Sequence, residues 1–311
     1  MLRLMPSTLP LIPYPLKLIP YHKTYRMEHE RLIGIDLGAT NVRAGLVGNG
    51  SIQQINARKI RSSGTVQEVL DDIYAVTDPL VNSGVKGIGI GVPGVVDVNE
   101  GIVYDVQYIP SWVEVSLKDH LQQRYQLPVF VNNDANCFAL GEYYFGKGKG
   151  HTSMIGLTVG TGLGAGIIIN KHLFSGPNCG AGEFGMVAYL DQVYEYYCSG
   201  QFFSNVHQLD GEVVFRQANQ GNTQALQLYA EMGMHLGNAI KMIMYTYDPT
   251  LIVLGGSVRF AYPYFQEAMW RQIKTFAFTK SVSRLTIEVS GLESSGILGA
   301  ASLYYDAHGT S

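Results

Sequence analysis

Two segments of this 311-residue chain carry the same strand–turn–strand pattern, and a chain that repeats a unit at that spacing is committed to two similar halves. Ile33-Gly34-Ile35-Asp36-Leu37-Gly38 aligns with Ile155-Gly156-Leu157-Thr158-Val159-Gly160. Each is an apolar strand entering a turn of small residues, and each is followed by an apolar return strand. Equal position within two β-rich starts points to internal duplication. The length agrees with two units of roughly 150 residues, each able to bury a core.

The periodicity fills in both halves. Strands are expected at 32–37, 42–47 and 52–60, a helix at 66–81, a strand at 86–91, a helix at 117–125 and a strand at 129–131. That order, βββαβαβ, makes an α/β domain. The pattern then restarts with strands at 153–159 and 164–169 and a glycine-rich stretch at 176–185. A long helix follows at 223–247, where Ala225, Leu228, Met232, Leu236, Ala239 and Ile243 form one apolar stripe. Asp248-Pro249 stops it, and a strand at 251–254 ends in Gly255-Gly256. A helix at 263–275, a strand at 285–289 and a closing helix at 294–305 complete the pattern. The expected division is a small α/β domain of 27–132 plus 296–311 and a large one of 133–295.

Five of the twelve prolines (Pro6, Pro10, Pro13, Pro15, Pro20) lie in residues 1–26. That density opposes a helical signal-peptide core, so this stretch is read as a mobile extension ahead of an internal start at Met27. The uncharged run 152–170 fits two strands around a glycine turn better than a spanning helix, so no membrane association is expected. A net charge of −3 leaves no basic footprint for nucleic acid. Cys137, Cys179 and Cys198 are widely spaced, which suits a reducing, cytoplasmic compartment.

The 36 glycines exceed the usual share of roughly 7%, so their turns are where function is sought. In Asp36-Leu37-Gly38-Ala39-Thr40, glycine lets backbone N–H groups approach a phosphate and Thr40 adds a hydroxyl. Asp36 would repel phosphate directly, so it makes sense beside Mg²⁺ and its waters. Gly160-Thr161-Gly162-Leu163-Gly164 repeats the arrangement without the carboxylate. One such loop is most often only a hairpin; two at equivalent places suit a polyphosphate held between the halves. Asn133-Asp134-Ala135-Asn136 joins a strand to a helix. Asp134 there can simply cap the helix, or it can take a proton from a substrate hydroxyl. The helix amino terminus is expected to keep it ionised at pH 7.

Together these residues resemble the ROK family of bacterial sugar kinases and sugar-responsive repressors. The resemblance is carried by 36–40, Pro93-Gly94, 133–136, 160–164, Ala181-Gly182-Glu183-Phe184-Gly185 and Leu254-Gly255-Gly256. It implies the actin-like, ribonuclease-H-like pair of α/β domains closing over ATP and a sugar. Asp134 would then be the general base toward the sugar hydroxyl, the 6-OH by preference. Asn133, Glu183 and Gly94 would belong to the sugar site. Asp36 would organise Mg²⁺, Gly38, Thr40, Thr161 and Gly162 would contact phosphates, and Gly255 and Gly256 would lie against the adenosine. Glucose is the first substrate expected, then N-acetylated hexosamines or fructose, and a homodimer is the expected assembly.

The departures are specific. The family's Glu-x-Gly-His segment ends here in Met186 instead of histidine, and its Cys-x-Cys zinc loop is missing from 187–194. Thioether is a poor zinc ligand and Cys198 alone cannot complete a tetrahedral site, so no zinc is expected. Glu195 matches a glutamate that binds the sugar near its anomeric hydroxyl, or else is an exposed glutamate among tyrosines. Gln107 and Tyr108 occupy the place of a family asparagine near Trp112. His151, His172 and His207 have no partner at metal spacing and are assigned surface or satisfied roles. A sugar-binding regulator is the rival from another class. Its helix-turn-helix is not expected among the prolines of 1–26, and a catalytically silent sensor is a second rival.

Overall fold

The computed structural model describes residues 30–106, 108–176 and 179–309. The expectations for 1–26, Met27 and Gln107 lie outside the described residues. β1 (Arg31–Leu37), β2 (Asn41–Gly48) and β3 (Ser51–Lys59) form an antiparallel meander. α1 (Val66–Thr77) starts at a capping box, in which Thr65 and Glu68 satisfy each other's backbone N–H groups. The pattern carries this helix to residue 81, but Pro79 lacks the donor to extend the ladder and the chain tightens into a 3₁₀ turn at Asp78–Leu80.

β4 (Val85–Val92) returns parallel to β1. A small sheet that the periodicity does not announce follows: β5 (Val95–Asp97), β6 (Ile102–Tyr104) and β7 (Glu114–Val115). After α2 (Leu117–Tyr125), β8 (Val129–Asn133) completes a sheet of order β3-β2-β1-β4-β8. α3 (Asp134–Phe145) then leads into the second half.

There β9 (Met154–Val159), β10 (Leu163–Ile169) and β11 (His172–Leu173) start the second sheet. A hairpin, β12 (Ala188–Tyr189) and β13 (Gln192–Val193), precedes α4 (Tyr194–Cys198), α5 (Phe202–His207), α6 (Gly211–Asn219) and α7 (Thr223–Tyr247). β14 (Leu251–Gly255), α8 (Tyr262–Ile273), α9 (Thr279–Arg284), β15 (Thr286–Val289) and α10 (Ser295–His308) end the fold. The second sheet has the order β11-β10-β9-β14-β15. Rank for rank this is the order of the first. In each, the first strand is antiparallel to the second and parallel to the fourth, which is parallel to the fifth. The copies differ most in the third strand, nine residues in β3 and two in β11.

α10 packs on β1 and β4, α3 packs on β9 and β10, and the two helices pack on each other. Glycine makes this possible. A Cβ at Gly34 or Gly89 would lie 1.9 or 1.8 Å from the carbonyl oxygens of Ile297 and Ala300, and one at Gly299 would lie 1.7 Å from that of Cys137. Gly156 and Gly166 admit α3 in the same way, at 2.8 Å from Ala139 Cα and 2.7 Å from the Ala135 oxygen. Backbone meets backbone at these crossings, which draws the amino ends of both helices to the carboxyl ends of the parallel strands.

Each half has its own core. All six residues of the predicted α7 stripe are buried. Residues 152–170 form the β9–β10 hairpin, and among the described residues no helix is long and apolar enough to cross a membrane.

Candidate active site

Asn133 ends β8 and caps α3: its Oδ1 accepts the Ala135 N–H at 2.8 Å, and its Nδ2 donates to the Gly94 carbonyl at 3.1 Å. The cap is Asn133 by its extended backbone (φ −67°, ψ 149°), and Asp134 is the first helical residue. It is open to solvent, one oxygen accepting the Ala135 N–H at 2.8 Å. The head of α3 touches both halves: Asp134 Cα lies 3.6 Å from the Cβ position of Gly91 in β4, and Ala135 Cβ lies 3.0 Å from that of Gly164 in β10.

The electrostatics around Asp134 differ from the expectation. Crowding by protein atoms pushes its pKa up to about 6; the charge of Asp36 and then that of Glu183 add to this, against the Ala135 hydrogen bond. The helix amino terminus is outweighed. Asp134 remains roughly 90% ionised at pH 7 and is half-protonated one unit lower.

Asp36, near the end of β1, pairs with Arg43 of β2 at 2.5 Å. A Cβ on Gly296 would lie 2.7 Å from its Cγ, so Asp36 rests on the first turn of α10, where a helix favours negative charge. The turn beyond it is closed by Gly38 N–H to Asn41 O at 2.9 Å and leaves Thr40 exposed. The matching loop is held more firmly. Gly200 N–H donates to Gly160 O at 2.6 Å and Gln201 Nε2 to Thr161 O at 2.8 Å, with Thr161 exposed.

The segment bearing Glu183 lies flush on β10. Cβ atoms at Gly182 (φ 98°) and Gly185 would sit 2.2 Å from Ala165 O and 2.4 Å from Leu163 O. Burial and then the nearby Glu195 raise the pKa of Glu183 above the ordinary carboxylate range. Glu195 is no free surface residue: its Oε2 accepts the Leu163 N–H at 2.9 Å. Asp36, Asp134, Glu183 and Glu195 thus form one acidic line across the junction of the halves, each felt by the next.

Gly255 and Gly256 are both tightly packed. The Phe138 ring occupies the space of a Gly255 side chain, 2.4 Å from its Cβ position, and a Cβ on Gly256 (φ 76°) would lie 2.2 Å from Val159 O. The residues just after them, Ser257, Val258, Phe260 and Ala261, line a pocket of about 660 Å³ that begins at Gly160 and Thr161. Its far wall comes from α5, α6 and Tyr229 of α7. Sequence reasoning stops at the glycine pair and misses this wall, whose only local signal is its position directly after Gly-Gly.

Met186 is 61% exposed, whereas Cys198 is fully buried with its thiol pushed far above the ordinary range. Among the described residues no group of three or more His, Cys, Asp or Glu is arranged to hold a metal ion. His172 lies 3.5 Å from Asp306 and His207 3.1 Å from Glu231, while His151 is exposed.

The profile described as "ROK family" matches residues 32–307. A glucokinase of Thermotoga maritima is 28% identical, over 88% of this chain and 96% of its own. A xylose repressor of Bacillus subtilis is 26% identical, over 88% of this chain and 77% of its own. The crystal structure of a ROK family glucokinase from Streptomyces griseus, in complex with glucose and AMPPNP, superposes with a TM-score of 0.74. It is 28% identical, over 88% of this chain and 98% of that one.

Proposed function

The chain belongs to the ROK family and has the actin-like ATPase fold of its sugar kinases, and on that premise we propose that it transfers the γ-phosphate of ATP to a hexose. The acceptor in this reading is the 6-hydroxyl and the first substrate glucose, with N-acetylhexosamines and fructose next. The observation that carries it is the carboxylate of Asp134, solvent-exposed on the first turn of α3 and set at the meeting point of the two halves.

Asp134 takes the proton of the hydroxyl as it attacks, and its raised pKa brings it close to working pH, where a general base is most effective. Glu183 and Glu195 accept hydrogen bonds from sugar hydroxyls, with Asn133 and Gly94 fixing the strand end beside them. Thr40, Thr161 and the backbone around Gly38 and Gly162 face the phosphates. The pocket beyond Thr161, of about 660 Å³, has a size suited to a nucleoside. Asp36, paired with Arg43 and next in line to Asp134, would hold a Mg²⁺ chiefly through the ion's waters, and such an ion would neutralise phosphate charge. Closure of 27–132 plus 296–311 over 133–295 would exclude water as a competing acceptor.

Similarity to a xylose repressor favours a second reading, a sugar-binding regulator without turnover. An ATP-coupled assay on a panel of hexoses, hexosamines and pentoses separates the two. Turnover of a hexose supports the kinase; sugar binding with no turnover on any member assigns the chain to the regulators.

A further inference from the structure

Glu183 and Glu195 are joined through a hairpin that cannot hold itself. β12 and β13 pair over only two residues each, far below the size of an independently stable hairpin. Its apolar neighbours give no anchor, since Val187 and Leu190 are exposed. Two contacts fix it: the Tyr197 hydroxyl of α4 donates to the Asp191 carboxylate at the turn, and Tyr189 reaches the helices beyond. The Tyr189 ring stacks on Tyr194 of α4 at 4.3 Å between centroids, and its hydroxyl lies 3.1 Å from Nδ1 of His235 on α7. Asn238, on the same helix, donates to that hydroxyl from Nδ2 at 3.0 Å, and Gln272 of α8 donates to Asn238 Oδ1 at 2.6 Å.

The direction of this chain is set by chemistry. An amide N–H₂ can only donate, so the Tyr189 oxygen accepts from Asn238 and keeps its own proton for His235 Nδ1. His235 must then be the neutral Nε2–H tautomer. Its near-complete burial, which lowers the imidazole pKa, agrees. Donors aligned head to tail in a half-buried setting that ends on the buried His235 strengthen one another.

We propose that Tyr189 and His235 are positioning residues of the sugar site: the Gln272–Asn238–Tyr189–His235 relay staples the β12–β13 hairpin to α7 and thereby sets the separation of Glu183 and Glu195. The inference rests on reading those two glutamates as sugar ligands. It gives Tyr189 and His235 no contact with substrate.

Tyr189→Phe keeps the stacked ring and removes only the hydroxyl. His235→Leu removes the acceptor, while His235→Asn returns an acceptor oxygen near the Nδ1 position. Steady-state kinetics on the full chain should show KM for the sugar raised about five- to tenfold in Tyr189→Phe and His235→Leu, the scale of one lost buried hydrogen bond. The KM for ATP should stay within about twofold, and His235→Asn should restore most of the sugar KM. Amide hydrogen exchange should quicken across 186–195 and not in the first half of the chain. An unchanged sugar KM, or sugar and ATP KM rising together with a falling melting temperature, overturns the staple. The exchange pattern is read without any activity. If the unaltered protein phosphorylates no sugar, the kinase reading fails, while exchange across 186–195 in the same variants still upholds or overturns the staple.

Discussion

Oε2 of Glu195 accepts the backbone N–H of Leu163 at 2.9 Å, which ties the first turn of α4 to the glycine loop between β9 and β10. Gly162 lies beneath the same oxygen; a Cβ there would be only 2.7 Å away. The same carboxylate raises the pKa of Glu183. One side chain therefore spans the loop proposed to face phosphate and the segment proposed to hold sugar. Glu195→Ala leaves the Leu163 N–H unpartnered and should raise KM for both ATP and sugar by about ten- to a hundredfold, the range for a lost charge-assisted hydrogen bond. Glu195→Gln keeps an acceptor and should affect the sugar far more than ATP. Bisubstrate initial-rate kinetics checks this, and an ATP KM untouched by the alanine would refute the link.

Asp134→Asn should lower kcat by about a thousandfold, within the usual span for a general base, with sugar binding nearly unchanged. It should also stabilise the protein. The folded pKa of about 6 stands above the ordinary 3.8, so the proton is bound more tightly in the folded chain than in the unfolded one. That contribution is complete below about pH 4 and is lost as pH rises through 6. At pH 7.5 the ionised carboxylate weakens the fold, and asparagine removes the charge. Melting temperature should be higher in the variant at pH 7.5, with the gap closing toward pH 4. A lower melting temperature at pH 7.5 would contradict the assigned shift.

The same carboxylate sets an acid limb on activity. As pH falls through about 6, Asp134 takes up a proton and kcat/KM should drop, about tenfold per unit well below that point. Glu183 is one of the charges that hold this pKa up. Glu183→Gln should therefore move the limb to lower pH, besides raising the sugar KM. A limb that stays in place would show that Asp134 is not the titrating group.

Most of the fold is legible in the sequence because both halves are built on strong periodicities. The α7 stripe survives as written and the restart at Ile155 proves to be a second sheet of identical order, whereas α1 ends at Thr77 and neither β5–β7 nor α4–α6 is announced. What stays hidden is short or paired at a distance. β12, β13 and β11 have two residues each, too few for any period. The Tyr189–His235 contact joins residues 46 apart. In the site, the four carboxylates stand out by type and position, but the repulsion of Asp134 by Asp36 requires the crossing of α3 and α10, and that of Glu183 by Glu195 requires the docking of both segments on β10. Adjacency also fails to separate Asn133 from Asp134: both accept the Ala135 N–H, and only the extended backbone of Asn133 ahead of the first helical residue, Asp134, shows which one caps the helix. The glycines are the hardest to read, because a residue chosen for a ligand's approach and one chosen for a helix's approach look alike in a sequence.

The distinction can be tested at the crossing itself. Gly299 faces Cys137 where α10 meets α3, and a methyl group would lie 1.7 Å from the Cys137 oxygen and 2.4 Å from its carbonyl carbon. Both atoms are helix backbone and cannot swing aside as a side chain could, so the helices must separate. Gly34 meets Ile297 O at 1.9 Å in the same way. Gly299→Ala and Gly34→Ala should each cost about 3 kcal/mol or more, the upper range for overpacking a core. Gly291 has open space around its Cβ position and an ordinary φ, so Gly291→Ala should be neutral. Because α3 carries Asp134 and α10 supports Asp36, any Gly299→Ala protein that does fold should lose turnover through misplacement of both carboxylates. Its pH limb should also shift downward as they move apart. Chemical denaturation together with the pH–rate profile checks both, and a Gly299→Ala protein as stable as Gly291→Ala would show that the helices do not meet so closely.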